Sequence, residues 1–166
     1  MAFTYSVLVV ANETAGSDEL LGALKARAER NPAEFTLLVP ASGPGAREAA
    51  RENLDAAVAR LRGEGLTVEG ELGDSDPLTA VREAWDPRRF DEIVVSTFPT
   101  QASKWLQVDL PHRIARLTGV QVTHVVSELP KHVVTGPAPE HESHGVLSPL
   151  SVLSWGGAQP APRRDE

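Results

Sequence analysis

The sequence has no cysteine among its 166 residues, and aromatic side chains make up only 5%. Without cysteine there is no disulfide framework, no thiolate nucleophile and no cysteine-ligated zinc or iron–sulfur site. No apolar run approaches the ~20 residues of a membrane-spanning helix. Basic residues are also scarce, with 16 Lys and Arg against 23 Asp and Glu. The resulting formal charge of −7 argues against general binding to the phosphates of DNA or RNA.

The length and apolar content indicate one globular domain with an appendage. With 166 residues, 41% of them hydrophobic, the chain can bury a core without covalent staples. The amino-terminal apolar run, residues 5–11, has no positive charge before it and does not resemble a signal peptide. We therefore expect a cytoplasmic protein with no membrane partner.

Short apolar runs alternate with helical patterns over residues 1–127, which predicts one α/β domain. The predicted strands are residues 7–11, 35–39, 66–72, 92–97 and 120–126. Four helices are predicted between them. The second covers residues 46–63, and its apolar stripe consists of Ala50, Leu54, Ala57, Val58 and Leu61. A polar loop over residues 98–108 precedes the last helix. This order is typical of a three-layer doubly wound sandwich, Rossmann-like, with a five-stranded and mostly parallel sheet.

Helix ends are marked by capping residues. Ser17 is the predicted N-cap of the first helix, and Asp76 precedes Pro77 at the start of the third. Asp109 is the predicted N-cap of the last helix, and Gly119 its C-terminal cap. The inward stripe of that helix is predicted to consist of three residues: Leu110, Ile114 and Leu117.

Residues 128–166 differ from the domain, since ten of these thirty-nine residues are Gly or Pro. Such a composition is typical of a disordered tail. Residues 146–155 are partly apolar, however, which favours docking on the domain or on a second subunit. His141 and His144 have a spacing that chelates metal on a helix, but in a Pro-flanked segment we expect them to be solvated.

Ligands of doubly wound sheets bind at the carboxyl ends of the strands, where the strand order reverses. The fourth strand leads there into a loop rich in hydroxyl groups with one ammonium group. The candidate anion-binding residues of this loop are Ser96, Thr97, Thr100, Ser103 and Lys104. The alternative is that Ser103 caps a short helical turn and that Lys104 is a solvated charge.

Two further strand ends carry candidate residues. Asn12 and Glu13 follow the first strand, where an amide or a carboxylate can accept from a ribose hydroxyl or an adenine amino group. They also fit a plain turn with a solvated carboxylate. Gly73 and Asp74 follow the third strand, where the pattern fits both a close backbone approach to a ligand and an ordinary turn.

The sequence lacks the motifs that mark several nucleotide-dependent and hydrolytic enzymes. It has no GxGxxG after the first strand, no GxxxxGK[ST] and no GxSxG. No nucleophile–base pair is recognisable either. We therefore predict no catalytic residue and no metal ligand.

The chain resembles the universal stress protein family over about residues 4–127. The resemblance rests on three segments: residues 5–14 at the first strand, residues 73–81 before the third helix, and residues 90–126 from the fourth strand to the fifth. Members that bind ATP carry G-2x-G-9x-G-[ST] after the fourth strand. Here the equivalent positions are Ser96, Pro99 and Asp109-Leu110, so the chain resembles a divergent branch of the family.

The resemblance implies a stress-response regulatory module that binds, without turnover, an adenine nucleotide or another small anionic ligand. The nucleotide would be AMP, or ATP with Mg²⁺. Asn12 and Glu13 would then hold the nucleoside, and the backbone of Val39 and Gly73 would line the base pocket. The residues after the fourth strand would hold the phosphate. The resemblance also implies a homodimer formed through the fifth strand and the carboxyl-terminal extension. An interaction scaffold that binds no nucleotide is the alternative, followed by an enzyme acting at the α-phosphate of a nucleotide.

Overall fold

The computed structural model describes residues 3–42, 45–99 and 103–129. These residues form five strands and five helices, with two helices between the last two strands. In chain order the elements are β1 (Tyr5–Val10), α1 (Asp18–Arg30), β2 (Ala33–Pro40), α2 (Ala46–Gly63), β3 (Thr67–Gly73), α3 (Pro77–Ala84), β4 (Glu92–Thr97), α4 (Lys104–Gln107), α5 (Leu110–Thr118) and β5 (Val122–Val126). The predicted α/β class with a five-stranded sheet is confirmed. Three features named from the sequence lie outside the described residues: Thr100, the segment 146–155, and His141 with His144.

The strands form one sheet in the order β3-β2-β1-β4-β5. Every strand pair in it is parallel. The sheet was predicted to be mostly parallel, and over the described residues it is fully parallel. The chain moves outward from β1 through β2 to β3, then returns to place β4 on the other side of β1. The strand order therefore reverses between β1 and β4, where the ligand sites of this architecture lie.

Successive side chains along the central strands point to opposite faces of the sheet, so each face has its own part of the hydrophobic core. Val7 and Val9 of β1 pack with α1 and α2, whereas Leu8 and Val10 pack with α3 and α5. Because β1 is covered on both faces, it is a continuous apolar run rather than an alternating one. The α2 stripe predicted by helical spacing is buried as expected: Ala50, Leu54, Ala57, Val58 and Leu61.

The predicted caps are confirmed in part. The Ser17 hydroxyl accepts a hydrogen bond from the Leu20 amide at 3.2 Å, and the Asp76 carboxylate accepts from the Thr79 amide at 2.9 Å. Asp109 is the N-cap residue of α5 as predicted, but its side chain makes no capping hydrogen bond. Its φ of 52° is left-handed, whereas an N-cap side chain reaches the first-turn amides from extended backbone.

The segment between β4 and β5 requires two more corrections. Part of the loop predicted over residues 98–108 is helical, because Ser103 caps the single turn of α4. Over the described residues the structure therefore has five helices rather than the four predicted. Leu117 does not face inward as predicted but is 43% exposed. It lies in the last turn of α5, beside an edge strand of five residues that covers less surface than a central strand.

Gly73 is needed where β3 meets α3. A Cβ atom at this position would lie 2.5 Å from the Ala80 Cβ and 3.0 Å from the Leu38 Cδ1. Both neighbours belong to the buried core on the α3 side, so they have little room to move. Close packing of β3 against α3 therefore accounts for a glycine at position 73, and no ligand is needed to explain it.

We expect Gly73→Ala to lower the free energy of unfolding by about 1–3 kcal/mol through overpacking. Gly22→Ala is the matched control, since Gly22 lies within α1 and a Cβ there meets nothing within 4 Å. The control should be neutral or stabilising by about 0.5–1 kcal/mol, because alanine is the better helix former. Urea unfolding measures both, and equal stability of the two variants would contradict the packing argument.

Candidate functional site

Two adjoining clefts lie at the carboxyl ends of the strands. The first, the β2-side cleft, has a volume of about 430 Å³. Its lining residues are Asn12, Glu13, Pro40, Ser42, Ala46, Ala49, Ala50 and Asn53. The second, the β5-side cleft, is about 580 Å³. Its lining residues are Glu13, Thr14, Gly16, Ser17, Asp18, Glu19, Asn53, Arg60, Phe98, Glu128 and Leu129. Glu13 and Asn53 line both clefts.

Backbone hydrogen bonds shape the turn between β1 and α1. The Asn12 carbonyl accepts from the Ala15 amide at 3.1 Å and from the Asn53 side-chain amide at 2.7 Å. The Ser17 amide donates to the Thr14 carbonyl at 3.0 Å. These bonds hold the backbone of the turn and leave the Asn12 side chain half-buried against the β2-side cleft, with the Glu13 side chain exposed.

Side-chain hydroxyls join the ends of three strands. Thr14 Oγ1 donates to the Ser96 carbonyl at 3.0 Å, which ties the turn after β1 to β4. Ser127, just after β5, is fully buried, and its Oγ lies 2.7 Å from Ser17 Oγ and 3.4 Å from Ser96 Oγ. We call these four residues the hydroxyl network. It fixes the wall of the β5-side cleft to the sheet.

The remaining hydroxyls predicted to hold an anion also have partners within the protein. Thr97 Oγ1 donates to the Phe98 carbonyl at 2.8 Å and lies 2.7 Å from His124 Nε2. Ser103 is buried and caps α4. Lys104 is exposed at the first position of α4. The predicted alternative, a capping serine beside a solvated lysine, describes this turn.

The two residues predicted to line a base pocket are placed differently. Val39 is fully buried in the core cluster beneath α1 and α2. Gly73 ends β3, and its carbonyl accepts from the Ala41 amide at 3.3 Å. Their roles toward a ligand stay predictions, as do those of the other candidate residues.

Two polar residues of α2 were missed in the sequence analysis. Asn53 lines both clefts, and Arg60 lies two turns further along the same helix. The Arg60 guanidinium pairs with the Asp18 carboxylate and donates to the Gly16 carbonyl. The sequence spacing could have indicated Asn53. It lies three, four and seven positions after Ala50, Ala49 and Ala46, so all four residues share one side of the helix, next to the apolar stripe.

The described charges at the clefts are mostly negative. Glu13, Asp18, Glu19 and Glu128 line the β5-side cleft, against the single guanidinium of Arg60. Over residues 3–42, 45–99 and 103–129, no three His, Asp or Glu side chains are grouped in a way that could hold a metal ion. Within the same ranges, no helix is long and apolar enough to cross a membrane.

A third cleft, of about 650 Å³, lies at the amino end of the sheet. Here Arg27 of α1 forms two hydrogen bonds with Glu92 of β4, at 2.6 and 3.0 Å, and Thr123 of β5 donates to Glu92 at 2.7 Å. The Arg27 and Thr123 bonds hold the pKa of the Glu92 carboxyl below its usual range despite its partial burial. This network joins α1 to two strands and is accounted for by that structural role.

Comparison with solved structures identifies the fold. A universal stress protein from Archaeoglobus fulgidus matches at a TM-score of 0.55 and 17% identity, over 73% of this chain and 93% of that one. A universal stress protein in complex with cAMP matches at a TM-score of 0.54 and 23% identity, over 76% of this chain and 98% of that one. The universal stress protein from Archaeoglobus fulgidus in complex with dAMP matches at a TM-score of 0.55 and 17% identity, over 75% of this chain and 99% of that one.

These matches show that the chain has the universal stress protein fold, as the resemblance predicted. No protein-family model matches the sequence, and no curated protein matches it at a significant level.

His124 is exposed on β5, but its Nε2 lies 2.7 Å from Thr97 Oγ1 and the ring is partly desolvated there, so stability at the site depends on pH. Desolvation lowers the pKa of His124 below its ordinary value of 6.5. The folded protein thus binds this proton less readily than the unfolded chain. Its contribution is present above about pH 6.5 and is lost as the pH falls toward the lower folded pKa.

We therefore expect His124→Gln, which keeps a donor for Thr97, to reduce the loss of stability between about pH 6.5 and pH 5. Denaturant unfolding at several pH values measures the slope. His112→Gln is the control, because His112 is exposed on α5. If the free energy of unfolding of His124→Gln changed with pH as steeply as that of the wild type, His124 would not be the source of the pH dependence.

Proposed function

We propose that the chain is a regulatory module of the universal stress protein type that binds an adenine nucleotide, without turnover, at the carboxyl ends of its strands. The observation that carries the proposal is the pair of clefts at the carboxyl end of the sheet, one at the ends of β1 and β2 and the other beside the segments after β4 and β5. Asn53 and Glu13 line both clefts, and Asn12 lines the first. This is the place where doubly wound sheets bind ligands. Two structures of the same fold were determined with cAMP and with dAMP.

The β2-side cleft suits a nucleoside. At about 430 Å³, it falls within the range of small-molecule sites. Ala46, Ala49 and Ala50 give it an apolar wall, against which a flat base can pack. Asn12 and Asn53 supply amide groups that hydrogen-bond to a base edge or a ribose hydroxyl, and Glu13 supplies an acceptor.

For the phosphate, Lys104 supplies an exposed cation in the segment that follows β4. The other residues proposed here are Ser96, Thr97, Thr100 and Ser103. Three of them, Ser96, Thr97 and Ser103, are buried with internal hydrogen-bond partners. Lys104 is therefore the main phosphate-binding residue in this proposal.

Isothermal titration with AMP tests the proposal. We expect one site per chain, and Asn12→Ala should weaken it about five- to tenfold through loss of one hydrogen bond. Asn31→Ala is the matched control, because Asn31 is exposed at the far end of α1, away from both clefts. The control should leave the dissociation constant unchanged.

The absence of any heat or thermal shift with AMP, cAMP and dAMP at millimolar concentration would overturn the nucleotide proposal. A ligand at about 100 times its dissociation constant stabilises the fold by about 2.7 kcal/mol, so binding of useful strength is measurable. A negative result would favour the interaction scaffold.

We also propose that two copies associate through β5. Within the described part of the chain, β5 pairs with β4 along one side only and forms an edge of the sheet. Val126 at its end is 48% exposed, and Leu129 beyond it is 53% exposed. An open strand edge with exposed apolar side chains is a template for pairing with a second strand.

Light scattering should then give twice the monomer mass, and Val126→Lys should shift the protein toward monomer, because a lysine on an edge strand opposes pairing. Val108→Lys is the control, since Val108 is 51% exposed but lies between α4 and α5. A wild-type protein that stays monomeric at high concentration would contradict the dimer.

A further inference from the structure

We infer that the two clefts select adenine ligands with no more than one phosphate over ADP and ATP, an inference that rests on the nucleotide site proposed above. It concerns the charge of the ligand rather than the existence of the site. Two separate properties of the described residues support it: the sign of the charges facing the clefts and the use already made of the nearby hydroxyl donors.

The first property is the charge at the β5-side cleft. Four carboxylates face one guanidinium there: Glu13, Asp18, Glu19 and Glu128 against Arg60. Arg60 is already paired with Asp18, which leaves three carboxylates opposed by no other cation lining this cleft in the described ranges. Glu13 also lines the β2-side cleft, so a ligand in either cleft meets negative charge.

The second property is the state of the hydroxyl donors near β4. A chain of phosphates needs several donors to replace its hydration. The hydroxyls of Ser96 and Thr97 are about 1–2% exposed and hydrogen-bonded within the protein. Releasing them for a ligand would leave Ser127, His124 or the Phe98 carbonyl without its partner, at a cost of the order of a hydrogen bond each.

These properties set a limit on ligand charge. Lys104 follows β4, lines neither cleft and offers a single positive charge to a phosphate. Each further phosphate adds negative charge to a ligand in a cleft lined by carboxylates, and charges within one Debye length, about 10 Å at 0.1 M salt, repel each other with little screening. We expect AMP to bind about tenfold or more tightly than ATP at low salt, with adenosine close to AMP.

Titration of the full chain with adenosine, AMP, ADP and ATP, without magnesium, at 50 and 300 mM salt tests the inference. Affinity should fall with each phosphate beyond the first, and the ratio between AMP and ATP should shrink at the higher salt because screening weakens the repulsion. ATP binding as tightly as AMP at low salt would overturn the inference and leave the proposed function standing. A protein that binds none of the four ligands would overturn both.

A charge-neutral double variant assigns the selectivity to the carboxylates. Glu19→Gln/Glu128→Gln removes two negative charges and keeps a side-chain oxygen at position 19 to accept from the Glu128 amide. The preference for AMP over ATP should fall about three- to tenfold in this variant. Glu29→Gln/Glu83→Gln is the control with the same change in net charge, on exposed positions away from the clefts. Equal loss of preference in the control, or no loss in the test variant, would overturn the assignment.

Discussion

The arrangement of the carboxyl end of the sheet depends on one set of contacts, the hydroxyl network of Thr14, Ser17, Ser96 and Ser127. Three strands end there side by side, and the side-chain hydroxyls add to the backbone bond from the Ser127 amide to the Thr97 carbonyl, at 2.8 Å. Ser127 is fully buried between Ser17 and Ser96, and Thr14 bonds the β4 backbone. Buried hydroxyls are stable only when hydrogen-bonded, so each member constrains the others. The turn that carries Asn12 and Glu13 is thereby fixed relative to the reversal point of the sheet.

This network separates structural hydroxyls from groups that remain open to a ligand. The sequence places a cluster of serine and threonine after β4, and in a nucleotide-binding protein such a cluster suggests a phosphate cradle. In the fold the Ser96 hydroxyl lies against Ser127, the Thr97 hydroxyl lies against His124 of β5, and the Ser103 hydroxyl caps α4. Polar groups facing the clefts come instead from the β1 turn and from α2. The consequence is a site suited to a nucleoside and poor in donors for several phosphates.

Elements with a clear period were predictable from the sequence. The helix Ala46–Gly63 has the predicted limits, since its apolar stripe recurs at 3.6 residues and Gly43-Pro44-Gly45 precedes it. The strands β1 and β2 were recognisable as apolar runs bounded by polar residues. The helix α4 was predicted only as the alternative to a loop, because a four-residue turn offers no period and its composition is that of a loop.

Contacts between distant residues were beyond the reach of such patterns. Asn53 meets the Asn12 carbonyl across 41 positions, and Arg60 meets Gly16 across 44. Only the packing of α2 against the sheet brings them to the clefts. The missing capping bond of Asp109 has a related cause: the residue occupies the predicted N-cap position, but at the tight junction between α4 and α5 its backbone is left-handed. Local propensity gives way there to the geometry of the connection.

The measurement that tests the account most directly is a series of ¹H–¹⁵N correlation spectra of the protein titrated with AMP. Binding at the proposed site predicts saturable shifts of the backbone amides of Asn12 and Glu13 and of the side-chain amide of Asn53. Amides of the amino-end cleft, such as Arg30 and Gln121, should stay in place. Spectra that do not change at millimolar AMP, or shifts confined to the amino end of the sheet, would contradict a nucleotide site at the carboxyl ends of the strands.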